Sequence, residues 1–141
     1  MKPIRTRRLA LCALALLTAL LLGGCHARPA DTQVQVLVDG EAWNGPAMPP
    51  SGGLRVYVQL DGRTIADLPF DQPHTISILQ PDGGENVVEI TGQAVRMASA
   101  NCENQDCVLM GDVTRDNLEL RAMGGLIVCL PHRLTVEVRE E

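Results

Sequence analysis

The sequence predicts a mainly β protein, a small single-domain β-sandwich or barrel of short antiparallel strands with one short helical turn. Three observations carry that prediction. Apolar residues alternate with polar ones at period two in several short runs, most clearly Leu54, Val56, Val58 and Leu60. Asp-Gly pairs at 39–40 and 61–62 suit tight hairpin turns, because both residue types accept positive φ. Turn signals recur roughly every ten residues, the spacing of sandwich and barrel folds.

The opening segment is set aside before the fold is read. Lys2, Arg5, Arg7 and Arg8 make a basic start, and Leu9 to Leu22 runs without a charge. That run is shorter than the roughly 20 residues a membrane-spanning helix needs, and it suits a secretory signal. Leu22-Gly23-Gly24-Cys25 resembles the lipobox of bacterial lipoproteins, where cleavage precedes a cysteine that carries diacylglycerol. Residues 1–24 are therefore expected to be a lipoprotein signal peptide and 25–32 a lipidated tether. Cys25 is the expected lipid attachment site, with palmitate among its acyl chains. The expected location is extracytoplasmic, lipid-anchored to a bacterial membrane on its periplasmic side or at the cell surface.

Residues 33–141 form the domain. Val34, Val36 and Val38 make a first strand, turned at Asp39-Gly40. Asn44 to Gly53 holds three prolines and three glycines and reads as a loop. Leu54 to Leu60 and Thr64 to Leu68 pair as a hairpin about Asp61-Gly62. His74 to Leu79 follows, ended by Pro81-Asp82-Gly83-Gly84. Val87 to Thr91 and Ala94 to Ala98, flanking Gly92, are two strands or one bent strand. Asn104 to Met110 reads as one or two helical turns with Asn104 as N-cap and Gly111 as stop. Asp112 to Met123 is polar, with room for a short amphipathic piece bearing Leu118 and Leu120. Leu126 to Leu130 and Arg133 to Val138 are strands on either side of Pro131.

Charge excludes some partners. Residues 1–24 hold 4 of the 12 basic residues and none of the 17 acidic ones, so 25–141 carries eight basic against 17 acidic, a net of −9. Nucleic-acid binding rests on phosphate neutralisation by Lys and Arg and is not expected. A polybasic hold on anionic lipid is excluded likewise, leaving the acyl chains as the tether. With one Trp, one Tyr and one Phe in the chain, the core has to come from Val, Ile and Leu.

The chemistry-bearing stretch runs from Ser99 to Arg133. Cys102, Cys107, Cys129 and His132 fall at C-x4-C and, twenty-one residues on, C-x2-H. Three readings of that spacing stand open. Two of the thiols can form a structural disulfide, favoured in an oxidising compartment. Loop-closure entropy gives about 2 kcal/mol for Cys102–Cys107 and about 3.5 kcal/mol for Cys102–Cys129, while proximity along the chain favours Cys102–Cys107. Alternatively the three thiols and His132 make a tetrahedral metal or iron–sulfur site. C-x2-H is similar to one Rieske box, but Asn104 stands where the other box needs a histidine. Finally, the thiols form a redox pair, although C-x4-C is not C-x-x-C, and Glu103 and Asp106 beside them disfavour thiolate. The three cysteines are expected to converge, because Cys102 and Cys129 each end a strand. No cofactor other than a metal is called for, and no catalytic constellation is visible.

Ser99-Ala100-Asn101-Cys102, Asp106-Cys107-Val108, Gly111 and Ile127-Val128-Cys129-Leu130-Pro131-His132-Arg133-Leu134 resemble the motifs of the NusG domain II-like family of bacterial extracytoplasmic proteins. Val38-Asp39-Gly40 and Asn86-Val87-Val88-Glu89-Ile90 fit as well. The chain departs at Asp112 to Gly124, which is longer and more acidic than the family's usual connection. The resemblance implies a small β-rich, membrane-anchored domain and none of the RNA-facing machinery of NusG. It also implies a role as an accessory part of flavin- or quinone-linked electron transfer at the cell surface. The function expected is thus a non-enzymatic accessory and interaction module with a membrane-protein partner. Its rivals are an electron carrier using the Cys102/Cys107/Cys129 cluster with His132, and a structural envelope protein.

Overall fold

The structure of the protein, a computed structural model, describes residues 33–45 and 52–141. The expected signal segment, the tether with Cys25 and residues 46–51 of the Pro/Gly-rich loop lie outside the described residues. The elements are β1 (Gln35–Val38), β2 (Glu41–Ala42), β3 (Leu54–Leu60), β4 (Arg63–Pro69), β5 (His74–Leu79), β6 (Glu85–Ile90), β7 (Ala94–Ala100), α1 (Asp106–Leu109), β8 (Val113–Thr114), β9 (Leu126–Cys129) and β10 (Leu134–Glu140). They build two antiparallel sheets, one in the order β2-β1-β5-β6-β7-β8 and one in the order β4-β3-β10-β9. Neither closes on itself, so the protein adopts two open sheets rather than a barrel.

Period-two alternation decides which side chains go inside. Val56 and Val58 of β3, Leu68 of β4, Ile127 of β9 and Leu134 and Val136 of β10 are fully buried. They join Ile76, Ile78, Val88 and Val95 of the larger sheet in one apolar cluster. Burying each such side chain contributes about 1.5–3 kcal/mol, set against the entropy of ordering the chain. Asp39 (φ 53) with Gly40 (φ 84), and Asp61 (φ 49) with Gly62 (φ 75), place both central turn residues in the left-handed region. That geometry matches the twist of the strands they join.

One long-range pairing positions the cysteines. β10 pairs β3 from Leu134↔Leu60 to Glu140↔Leu54, and its other edge takes β9 with Leu134 opposite Cys129. Gly125 leads into β9 so close to Val138 that a Cβ there would overlap the Val138 carbonyl, and its own carbonyl accepts from Val138 N at 2.9 Å.

Three local expectations are corrected or narrowed. β6 and β7 are separate strands, because Thr91 Oγ1 accepts from the Gln93 and Ala94 amides and closes a turn around Gly92. The N-cap of α1 is Gln105, not Asn104. Gln105 adopts φ 54 and makes no side-chain capping bond. Its amide nitrogen donates instead to the carbonyls of Ala100 at 2.7 Å and Cys102 at 2.5 Å, while Asn104 Nδ2 donates to Asp106 Oδ2 at 2.6 Å. The amphipathic piece sought in 112–123 is no helix, but β8 followed by a run of turns. Arg121 explains why: its guanidinium donates to the carbonyls of Met110, Asp112 and Gly124 at 3.0, 2.9 and 3.1 Å. Asn117 adds a bond to the Asp112 carbonyl and accepts from Thr114 N. Side chains that take up backbone groups in this way compete with helix formation.

Candidate thiol site

Cys102 follows β7, Cys107 lies on α1 and Cys129 ends β9. α1 packs against both β7 and β9. Gln105 fixes its entry by holding the carbonyls just before it, and the β9–β10 pairing fixes Cys129. The three sulfurs meet beneath these elements, all within 4.8 Å of one another. Cys102 Sγ lies 3.8 Å from Cys107 Sγ. The residues are 5 %, 1 % and 1 % exposed in chain order, so the cluster is dry. All three are free cysteines, and the disulfide that proximity along the chain favours, Cys102–Cys107, is not formed in this structure.

Burial pushes the Cys107 thiol up to about 12 from an ordinary 9.0, and hydrogen bonding with Cys129 and then Cys102 adds to it. The cause therefore differs from the one read in the sequence: Glu103 and Asp106 are exposed, and the apolar surroundings dominate. A thiol held protonated at neutral pH is a poor nucleophile.

His132 does not complete a Cys3His set. The Pro131-His132 turn carries its ring towards β6, where Nδ1 sits 2.7 Å from Asn86 Oδ1. Its carbonyl accepts from Gln80 Nε2 at 3.0 Å, and its ring edge lies against Gly84. Asn86 is 1 % exposed, so its buried amide needs the partners it finds in His132 and in Met97 Sδ. The ring nitrogens of His132 do not share the common reach of the three thiols. The thioether of Met110, a nearby soft donor in sequence, accepts from Val128 N at 3.3 Å.

Two features of the site had no signal in the sequence. Gln105 and Arg121 are polar residues in a polar stretch, and only the fold reveals that each ties several carbonyls. A third feature concerns the surface. The large hydrophobic residues that stand exposed among the described residues are Leu109 (78 %), Leu120 (85 %), Met123 (47 %) and Leu130 (78 %). All four fall in the excursion that carries or borders the cysteines. A shallow cleft beside β7 and β8 is lined by both signs of charge, Arg96 and Arg115 with Asp112 and Asp116, and holds none of the thiols.

The family model for NusG domain II matches residues 10–141. The chain belongs to the NusG domain II family. The two-sheet fold of this NusG domain II protein is similar to the Lin0431 protein from Listeria innocua, with a TM-score of 0.53 and 24% identity over 62% of this chain and 97% of that one. It is also similar to a DUF1312 family protein from Enterococcus faecalis, with a TM-score of 0.54 and 23% identity over 62% of this chain and 98% of that one. At such identities the likeness concerns the fold. No curated protein matches the chain.

Proposed function

We propose that this NusG domain II protein is an extracytoplasmic lipoprotein, anchored through Cys25, that works as a non-enzymatic accessory module for a membrane-protein partner. The observation that carries the reading is that the exposed large apolar side chains among the described residues, Leu109, Leu120, Met123 and Leu130, all fall in one excursion, while the other described large hydrophobics are buried or half-buried. Apolar residues grouped outside a sound core commonly serve recognition. The lipobox-like Leu22-Gly23-Gly24-Cys25 and the net −9 of residues 25–141 support tethering by acyl chains rather than by charge. A flavin- or quinone-linked redox assembly is the partner class implied by the family resemblance. Interaction through the excursion leaves the β sheets as the stand that carries it.

The test uses the full chain in its native membrane. A photo-reactive residue at Leu109 or Leu130 is expected to give one discrete cross-linked membrane protein, while the same residue at Glu41 or Arg63 on the sheets gives none. Equal labelling from both sets would defeat the module reading. Cys25→Ala is expected to accumulate as an unprocessed, lipid-free precursor, and normal processing of that variant would defeat the anchor.

A further inference from the structure

The three thiols admit a sharper conclusion, independent of the partner and of the anchor. A disulfide uses two sulfurs, so any pairing would strand the third, buried and unpaired. Yet the structure does not bring two cysteines together and leave one aside: it gathers all three within one common 4.8 Å reach. Sulfurs around a metal at about 2.3 Å stand about 3.8 Å apart if the angles are tetrahedral and about 4.0 Å apart if trigonal. The Cys102–Cys107 separation of 3.8 Å, a hydrogen-bond contact between free thiols, is of that order, so the sulfurs need little movement to share an ion.

The donor set also fixes the coordination number. Among the described residues the group consists of three cysteines and no His, Asp or Glu. His132 is committed to Asn86, and the Met110 thioether accepts from Val128 N. Structural zinc takes four protein ligands, and zinc with three needs an open position for water. Thiols no more than 5 % exposed offer no such opening. Soft sulfur donors select Cu(I) or zinc among common ions, and of these Cu(I) is content with three.

We propose that Cys102, Cys107 and Cys129 form a three-coordinate thiolate site for a cuprous ion. Binding exchanges protons for metal: three S–H bonds break, three Cu–S bonds form, and three protons leave to solvent. No electron changes hands, and copper stays Cu(I).

The experiment titrates the reduced full chain, anaerobically in detergent, with Cu(I) against a chromogenic Cu(I) chelator, and with Zn(II) in parallel. The result expected is one equivalent of Cu(I), a rise in Tm on loading, and an X-ray absorption shell of three sulfurs without nitrogen. Cys107→Ser and Cys129→Ser are each expected to weaken binding by more than the roughly 10–100-fold that loss of an outer-shell partner costs. Because those variants can also fail to fold, the sulfur shell of the unaltered protein stands as a separate criterion. Absence of Cu(I) uptake by the reduced chain would overturn the proposal. So would tighter binding of Zn(II) with a fourth, non-sulfur donor, or a nitrogen in the copper shell.

Discussion

Leu134 and Leu120 are the same residue in two regions built on different principles. Leu134, in β10, has no exposed surface, while Leu120, in the turns after β8, is 85 % exposed. Around Leu134 the chain is held by aliphatic side chains from two sheets, and the hydrogen bonds run backbone to backbone along β3, β10 and β9. Around Leu120 there is little apolar burial, and order comes from polar side chains that seize carbonyls: Arg121 on Met110, Asp112 and Gly124, Asn117 on Asp112. The first arrangement is insensitive to the identity of surface residues, and the second depends on a few of them. A stable stand and a residue-specific excursion are what the accessory module proposed above would require.

The comparison breaks most directly at the two leucines. Leu134→Ala is expected to cost about 2–5 kcal/mol, as large-to-small changes in packed cores do. Leu120→Ala is expected to stay within about 0.5 kcal/mol. Urea unfolding of both variants measures the pair, and similar costs would show that the excursion buries more than its exposure indicates.

Arg121→Ala tests the other side of the comparison at a smaller scale. Its guanidinium is partly exposed, so losing its bonds to three carbonyls is expected to cost about 1–2 kcal/mol. The decisive readout is hydrogen exchange: amides of 110–125 are expected to exchange faster while those of β3 and β10 keep their protection. Equal loss of protection in both regions would mean that sheets and excursion unfold as one unit.

How much of this was legible in the sequence divides along the same line. Alternation in Leu54–Leu60 and Leu134–Val138 reported the inner faces correctly, because burial on a pleated strand imposes that period. It could not report that β10 would slot between β3 and β9, since pairing partners far apart in sequence leave no local trace. Nor could it report Arg55, which sits on the outward-facing set of β3 yet is 1 % exposed and bonded through Nε to Asp67 Oδ1 at 2.6 Å. In the excursion the spacing of Cys102, Cys107 and Cys129 gave the candidates, but not the orientation of His132, which a buried amide on another strand decides. Asn104 was the better N-cap by residue type, and Gln105 took the position because its long side chain reaches two carbonyls that Asn104 cannot serve.

The smallest expected effect lies in the stand itself, at a hairpin turn that relies on a polar side chain as the excursion does. Asp39 Oδ1 accepts from Thr75 N at 2.8 Å and Oδ2 meets His74 Nδ1 at 2.7 Å. The Thr75 amide, and after it the His74 ring, holds the Asp39 carboxyl below its ordinary 3.8. A depressed folded-state value means that the unfolded chain takes up this proton first. The tie therefore adds stability above the ordinary carboxylate range and loses it as pH falls through the lower folded value. Because Asp39 is about half exposed, 53 % by its side chain, solvent screens the contribution and keeps it small. Asp39→Asn retains a residue tolerant of φ 53 and an oxygen for the Thr75 amide, while removing the charge. Comparing urea midpoints between pH 3 and pH 6, the Asn variant is expected to show a slightly shallower acid loss than the wild type, with a matching midpoint at the acid end. An unchanged slope would place the acid sensitivity of the stand elsewhere.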